Sequence, residues 1–170
     1  MNLLLSDRSL SEVFEFARRY HGMLKDGDAF KLIVVLSCCS VVFVQQEQYV
    51  KLISCHIEFA PDVGFFFEEV AAAIGGNKVL EYKAVPPVSG DDAILQRNDN
   101  YVLNVIEFLS NNMNLLNIFP PPWFEAAMKL SDSATRRLFP QIADEDLQKK
   151  RQLLEYWNRS HASKSNNNIE

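Results

Sequence analysis

Lys31-Leu-Ile-Val-Val-Leu36, Ser37-Cys38-Cys39-Ser40, Val41-Val42-Phe43-Val44: the pairing of the two apolar runs in this stretch decides the fold. Both runs are rich in β-branched residues and flank a short turn. A third run, residues 49–58, follows the polar turn Gln45-Gln46-Glu47-Gln48. The gaps are too short for a crossover helix, so the three runs are expected to pair antiparallel. Downstream, Pro61-Asp62 is a helix-start signal. Val63, Phe66, Phe67, Val70, Ala73 and Ile74 then form one helical face, and Gly75-Gly76 stops it. A further strand is expected over residues 79–85. The pattern predicts an α+β fold with a three-stranded antiparallel core.

Composition narrows the class. The chain has 170 residues, a formal charge of -5 and a pI near 5.2. One domain with a sizeable core is expected, and a net acidic chain is a poor match for nucleic-acid phosphates. Cys38, Cys39 and Cys55 are an odd, partly adjacent set in apolar surroundings. They read as reduced core thiols, which implies a reducing compartment. No apolar run reaches the ~18 residues that span a bilayer. The start lacks the basic and apolar regions of a secretory signal, so a soluble, cytoplasmic chain is expected.

Working outward, Ser9 with Glu12 is a capping box, and Leu10, Val13, Phe14, Ala17, Tyr20 and Leu24 share one helical face. His21, near the end of that helix, reads as a solvated or capping histidine. Beyond the loop at residues 86–92, a helical turn is expected at residues 93–95. Asn98-Asp99-Asn100 then offers a cap for a helix over residues 101–111. Pro120-Pro121-Pro122 marks a boundary. After it come a short helix over residues 123–130, a second capped at Ser131, and a last one opened by Asp144-Glu145-Asp146. In the last helix Glu145–Lys149 and Asp146–Lys150 are i,i+4 pairs, and Leu147, Leu154 and Trp157 face inward. The expected organisation is a core over residues 1–119, a helical segment over 120–160 and a disordered tail over 161–170.

Candidate chemistry is sparse. Cys55 and His56 are neighbours on a strand and point to opposite faces, so they make a poor thiolate–imidazolium pair. Cys38-Cys39 lacks the two-to-four-residue spacing of structural zinc sites. Asp91-Asp92 and Asp144-Glu145-Asp146 have local explanations as loop and helix-start residues. No phosphate-binding glycine motif is present. No catalytic residue, cofactor or metal is predicted.

The order strand, strand, strand, helix from Lys31 to Gly76 resembles a ribonuclease-H-like unit. It is similar to the actin-like cytoplasmic domains of type IV pilus and type II secretion inner-membrane platforms, above all the inner-membrane component of a bundle-forming pilus machine. Val34-Val35-Leu36-Ser37-Cys38-Cys39-Ser40 and Ile57-Glu58-Phe59-Ala60-Pro61-Asp62 stand at the family's first turn and helix entry. Met113-Asn114-Leu115-Leu116-Asn117 and Met1-Asn2-Leu3-Leu4 look like its Asn-Leu-Leu segment. The first turn lacks the aspartate for Mg²⁺ and the glycine for phosphate.

The resemblance therefore implies a non-catalytic scaffold at the cytoplasmic face of a bacterial inner membrane. Such a scaffold docks an assembly ATPase and other platform proteins, and continues into a transmembrane helix beyond this chain. Lys149-Lys150-Arg151 fits an approach to a membrane and a solvated helix face equally well. Trp123 and Phe124 are the candidate partner-binding residues; the alternative is that they pack the C-terminal helices onto the sheet. The rival expectations are a soluble secretion chaperone, a cysteine-dependent hydrolase using Cys39 or Cys55, and a degenerate ATPase.

Overall fold

Five strands form a single antiparallel sheet in the order β1-β2-β3-β4-β5, each paired with its sequence neighbour. The structure is a computed structural model and describes residues 3–26, 30–46, 51–76 and 90–166, without the side chains of residues 26 and 161–166. The strand expected over residues 79–85 lies outside these.

The first helix, α1 (Asp7–Arg19), begins before the expected capping box. Ser6 is the cap, and its Oγ accepts from the Ser9 N–H. The helix also ends earlier than its apolar face suggests. At Gly22 an added Cβ would lie 2.8 Å from Leu36 Cδ2 and 3.1 Å from Val35 O. A residue without a side chain lets the chain turn tightly there, and β1 (Met23–Asp26) then pairs along β2 (Lys31–Val35).

β2, β3 (Ser40–Gln45) and β4 (Ile53–Ala60) pair antiparallel as expected. The β2–β3 hairpin closes through the Leu36 N–H to Cys39 O at 2.8 Å, with Ser37 and Cys38 at its tip. One face of the sheet carries Leu32, Val34, Val41, Phe43, Cys55, Ile57 and Phe65, all buried. The register sets these side by side, for example Phe43 opposite Cys55 and Ile57 opposite Phe65. The other face carries Ile33, Val42, His56 and Phe66 in one row across the strands.

Pro61-Asp62 starts a hairpin and not a helix. Asp62 takes φ 59°, the left-handed conformation of a tight turn, and β5 (Val63–Phe66) pairs back on β4. Val63 and Phe65 are buried while Phe66 is exposed, the alternation of a strand. The helix α2 (Phe67–Ile74) follows, shorter than expected. Its third residue, Glu69, accepts from the Phe66 N–H at 2.9 Å and so satisfies a donor at the helix start.

The helix α3 (Asp91–Leu116) is continuous through Asn98, so the expected cap does not form. The reason is tertiary. Asn98 is buried and its Nδ2 donates to Leu4 O at 3.2 Å and to Lys51 O at 3.0 Å, tying three segments together. Tyr101 adds a second tie: its hydroxyl donates to Glu68 Oε1 at 2.9 Å and accepts from the Cys55 N–H at 3.1 Å.

Past the prolines, one helix, α4 (Phe124–Leu138), replaces the two short ones expected. Ser131 is engaged by Lys150 and does not cap a second helix. The last helix, α5 (Ala143–Asn166), opens with its acidic turn and carries both expected pairs, Lys149–Glu145 at 2.9 Å and Lys150–Asp146 at 2.7 Å. It runs to Asn166, through most of the stretch that composition suggested as a disordered tail. Near that stretch Arg159–Glu155 at 2.9 Å and Ser160 Oγ to Tyr156 O at 2.9 Å continue the helical i,i+4 pattern. Phe59, Phe65, Phe119, Trp123, Phe124 and Trp157 clasp α4 and α5 to the β4–β5 end of the sheet. Their closest contacts are edge-on, at ring-centroid distances of 5.0 Å for Phe65–Phe124 and 5.1 Å for Phe124–Trp157.

Gly64 tests the reassignment of residues 63–66. An added Cβ there would lie 2.7 Å from Ile57 O and 3.1 Å from Glu58 Cα. In a helix interior Gly→Ala stabilises by roughly 1 kcal/mol. In this strand the same change forces two backbones apart, and Gly64→Ala is expected to destabilise by about 1–3 kcal/mol in urea unfolding. A stabilised variant would restore the helical reading.

Candidate functional site

Trp123 and Phe124 sit in the core and not on a docking surface. They are 4% and 0% exposed, and Trp123 Nε1 donates to Leu115 O at 3.2 Å. The turn after the prolines aims both rings at Phe59 and Phe65. Their role in this structure is to pack the C-terminal helices.

Cys55 and His56 separate as strand alternation requires. Cys55 is fully buried, which pushes its thiol well above the ordinary range. His56 lies on the other face against Phe66, with ring centroids 4.2 Å apart, and burial lowers its imidazole pKa. His21 lies exposed at the end of α1 with φ 54°. Asp91 pairs with Lys51 at 3.1 Å, and Asp144 with Arg136 at 2.9 Å. Glu145 and Asp146 hold the two lysines of α5. These carboxylates are engaged in ordinary ion pairs.

The structure draws together a set that the sequence does not single out. A groove of about 380 Å³ lies between β5 and the α4–α5 corner. Its floor is a buried polar chain. Lys150, only 3% exposed, donates to Ser131 Oγ at 2.6 Å and to Asp146 Oδ2 at 2.7 Å, and its Nζ lies 4.8 Å from the centroid of the Phe65 ring. Ser131 in turn hydrogen-bonds Glu69, which also accepts from the Phe66 N–H. Burial pushes the Glu69 carboxyl up to about 7, against the opposing pull of Lys150 and its two hydrogen bonds.

Chemically, this is a network that holds elements together. Lys150 Nζ lies 2.6 Å from Ser131 Oγ and 2.7 Å from Asp146 Oδ2, so it ties α4 to α5. The rim differs from the floor: Phe66, Phe139 and Ile142 are 41%, 52% and 49% exposed. Lys150 lies neither on a solvated helix face nor on one free to approach a membrane, the two expectations for Lys149-Lys150-Arg151, because it is buried. The usable signal was its i,i+4 spacing from Asp146 combined with Leu147 and Leu154, which places position 150 on the inward side.

Among the described residues there is no cluster of three or more metal-ligating side chains, and no helix is long and apolar enough to cross a membrane. Comparison with known proteins finds no matching family model, no matching curated protein and no matching solved structure.

The raised carboxyl gives a signed pH dependence. A folded pKa of about 7 above the ordinary 4.5 means that Glu69 stabilises most when protonated, and that this stability is lost as pH rises through 7. Between pH 4 and pH 8 the loss is about 3 kcal/mol, at 1.36 kcal/mol per unit. The stability difference between wild type and Glu69→Gln in urea unfolding is expected to shift by that amount towards the variant over this range. A difference that stays flat with pH would show that Glu69 ionises normally.

Proposed function

We propose that this chain is a non-catalytic protein-binding domain, and that the groove beside β5 takes a partner segment in which a basic side chain is flanked by apolar ones. The observation that carries this reading is the mismatch between rim and floor. Phe66, Phe139 and Ile142 leave apolar surface in water around a cleft lined by Glu58, Asp62, Glu69 and Asp146. Exposed aromatic groups around a concave surface are what interfaces are built from. Glu58 and Asp62 stand in the lining beside Asp146, which already holds the Lys150 ammonium together with Ser131, while Glu69 is buried beneath them. An ammonium or guanidinium on the partner supplies the missing charge, and side chains beside it cover the rim.

The finer reading makes the chain a ribonuclease-H-like scaffold of a pilus or secretion platform that binds an assembly ATPase at the cytoplasmic face of the inner membrane. Its support is the β2–β3–β4 antiparallel unit and the short Asn-Leu-Leu stretches. The strand β5 intervenes before α2, which departs from the order strand, strand, strand, helix. Calorimetry with a purified secretion-type ATPase tests this reading apart from the groove: heat on mixing favours it, and no heat removes it.

Selection of short random peptides on the immobilised chain tests the groove. Enriched sequences are expected to place Arg or Lys between large apolar residues. Phe139→Asp is expected to weaken them by about tenfold or more, whereas Met23→Asp, at the far edge of the sheet, leaves them unchanged. Enrichment of acidic peptides, or equal binding to Phe139→Asp, would remove the groove as the site.

A further inference from the structure

Cys38 and Cys39 form a second feature, just before β3 and beside the C-terminal end of β4, where Ser40 pairs with Glu58. They occupy the β2–β3 hairpin, both as free thiols, with their sulfurs 3.6 Å apart. Both line an open hollow of about 500 Å³, together with Ser37, Ser40, Glu58 and Phe59. Each keeps a small exposed surface, 8% and 6%. Cys55, by contrast, has none.

Two sulfurs so placed can join each other or share a third atom. Joining is disfavoured by the backbone. Adjacent Cα atoms are about 3.8 Å apart across a trans peptide, whereas disulfides usually span at least about 4.4 Å. The hairpin hydrogen bond from the Leu36 N–H to Cys39 O holds the turn in its present shape. Sharing needs no such closure. Two sulfurs 3.6 Å apart, each about 2.3 Å from one soft centre, subtend roughly 100° there, the angle of a tetrahedral or pyramidal atom.

The identity of that atom follows from what else is present. The described residues offer no cluster of three or more ligating His, Cys, Asp or Glu side chains. An ion that needs four protein donors is therefore poorly served, while a centre that brings its own third substituent is complete with two thiols.

We propose that Cys38 and Cys39 are a chelating site for a monosubstituted trivalent arsenical. The exchange is not a redox step. An aryl- or alkylarsine oxide reacts with both thiols, two As–S bonds form and the As–O bonding breaks. The two thiol protons leave with the oxygen as water, and arsenic stays trivalent. The organic substituent would project into the hollow that both residues line.

Phenylarsine oxide added to the purified full chain tests this. Intact mass is expected to show one adduct per chain. That adduct should survive excess 2-mercaptoethanol and be removed by 2,3-dimercaptopropanol. Peptide mapping of the wild-type adduct should place the arsenic on the peptide that carries residues 38 and 39, a readout that needs no variant. Cys38→Ser and Cys39→Ser should each abolish the dithiol-reversible adduct, and Cys55→Ser should keep it. Absence of the adduct from folded wild type, its mapping to Cys55, or its persistence in Cys38→Ser would each overturn the proposal.

Discussion

The burial of the Lys150 ammonium is the constraint on which the C-terminal half depends. Taking an ammonium out of water costs several kcal/mol unless its donors and charge are matched. Here α5 supplies Asp146, α4 supplies Ser131 and β5 supplies the face of Phe65. Glu69 of α2 reaches the same group through Ser131. Four elements meet at one nitrogen, and each contributes a group that only the correct register can bring there. Burial of apolar area alone would tolerate a helix sliding by part of a turn. A buried cation does not, because a slip leaves it unpaired.

The aromatic cluster and this network divide the work. Phe59, Phe65, Phe124 and Trp157 hold α4 and α5 against the sheet through area and edge-on contacts. Lys150 fixes which turn of each helix lies there. Phe65 takes part in both, with Phe124 at 5.0 Å and Lys150 Nζ at 4.8 Å from its ring. Where α4 ends, Arg136 bridges Asp132 and Asp144, each at 2.9 Å, and sets the corner from which Phe139 and Ile142 project. The groove thus follows from the way the helices are registered.

What the sequence discloses tracks how local the cause is. The three central strands are legible because their apolar runs and short gaps carry the signal themselves. The pairs Glu145–Lys149 and Asp146–Lys150 are legible because helical spacing dictates them. The edge strands are not. Met23-Leu24 continues a helical apolar face, and Val63, Phe66 and Phe67 start one, so periodicity favours helix at both. The overriding signals are Gly22 and Gly64, each pressed against a neighbouring backbone, and a glycine's neighbours across the chain cannot be read from its own window. Asn98 is a similar case: a residue type that suits a cap serves as a buried link between Leu4 and Lys51. The groove combines His56, Glu69, Ser131, Phe139 and Lys150 from distant parts of the chain, so only the tertiary structure assembles it.

The form of the exposed surface limits what can be added to the sheet. Both edges of the sheet are short, four residues in β1 and four in β5, and short edges limit recruitment of another strand. The β5 edge is restricted further. A register irregularity between Glu58 and Ala60 disturbs its pairing, Asp62 bends the chain into it, and Phe66 already gives its N–H to Glu69. Strand addition at β5 would have to compete with these features. Side chains face no such competition: Phe66, Phe139 and Ile142 are presented from a strand and from the α4–α5 corner, positions that Phe65, Lys150 and Arg136 hold in place. The β5 edge is therefore closed to strand addition more than the α4–α5 corner is closed to side-chain contact.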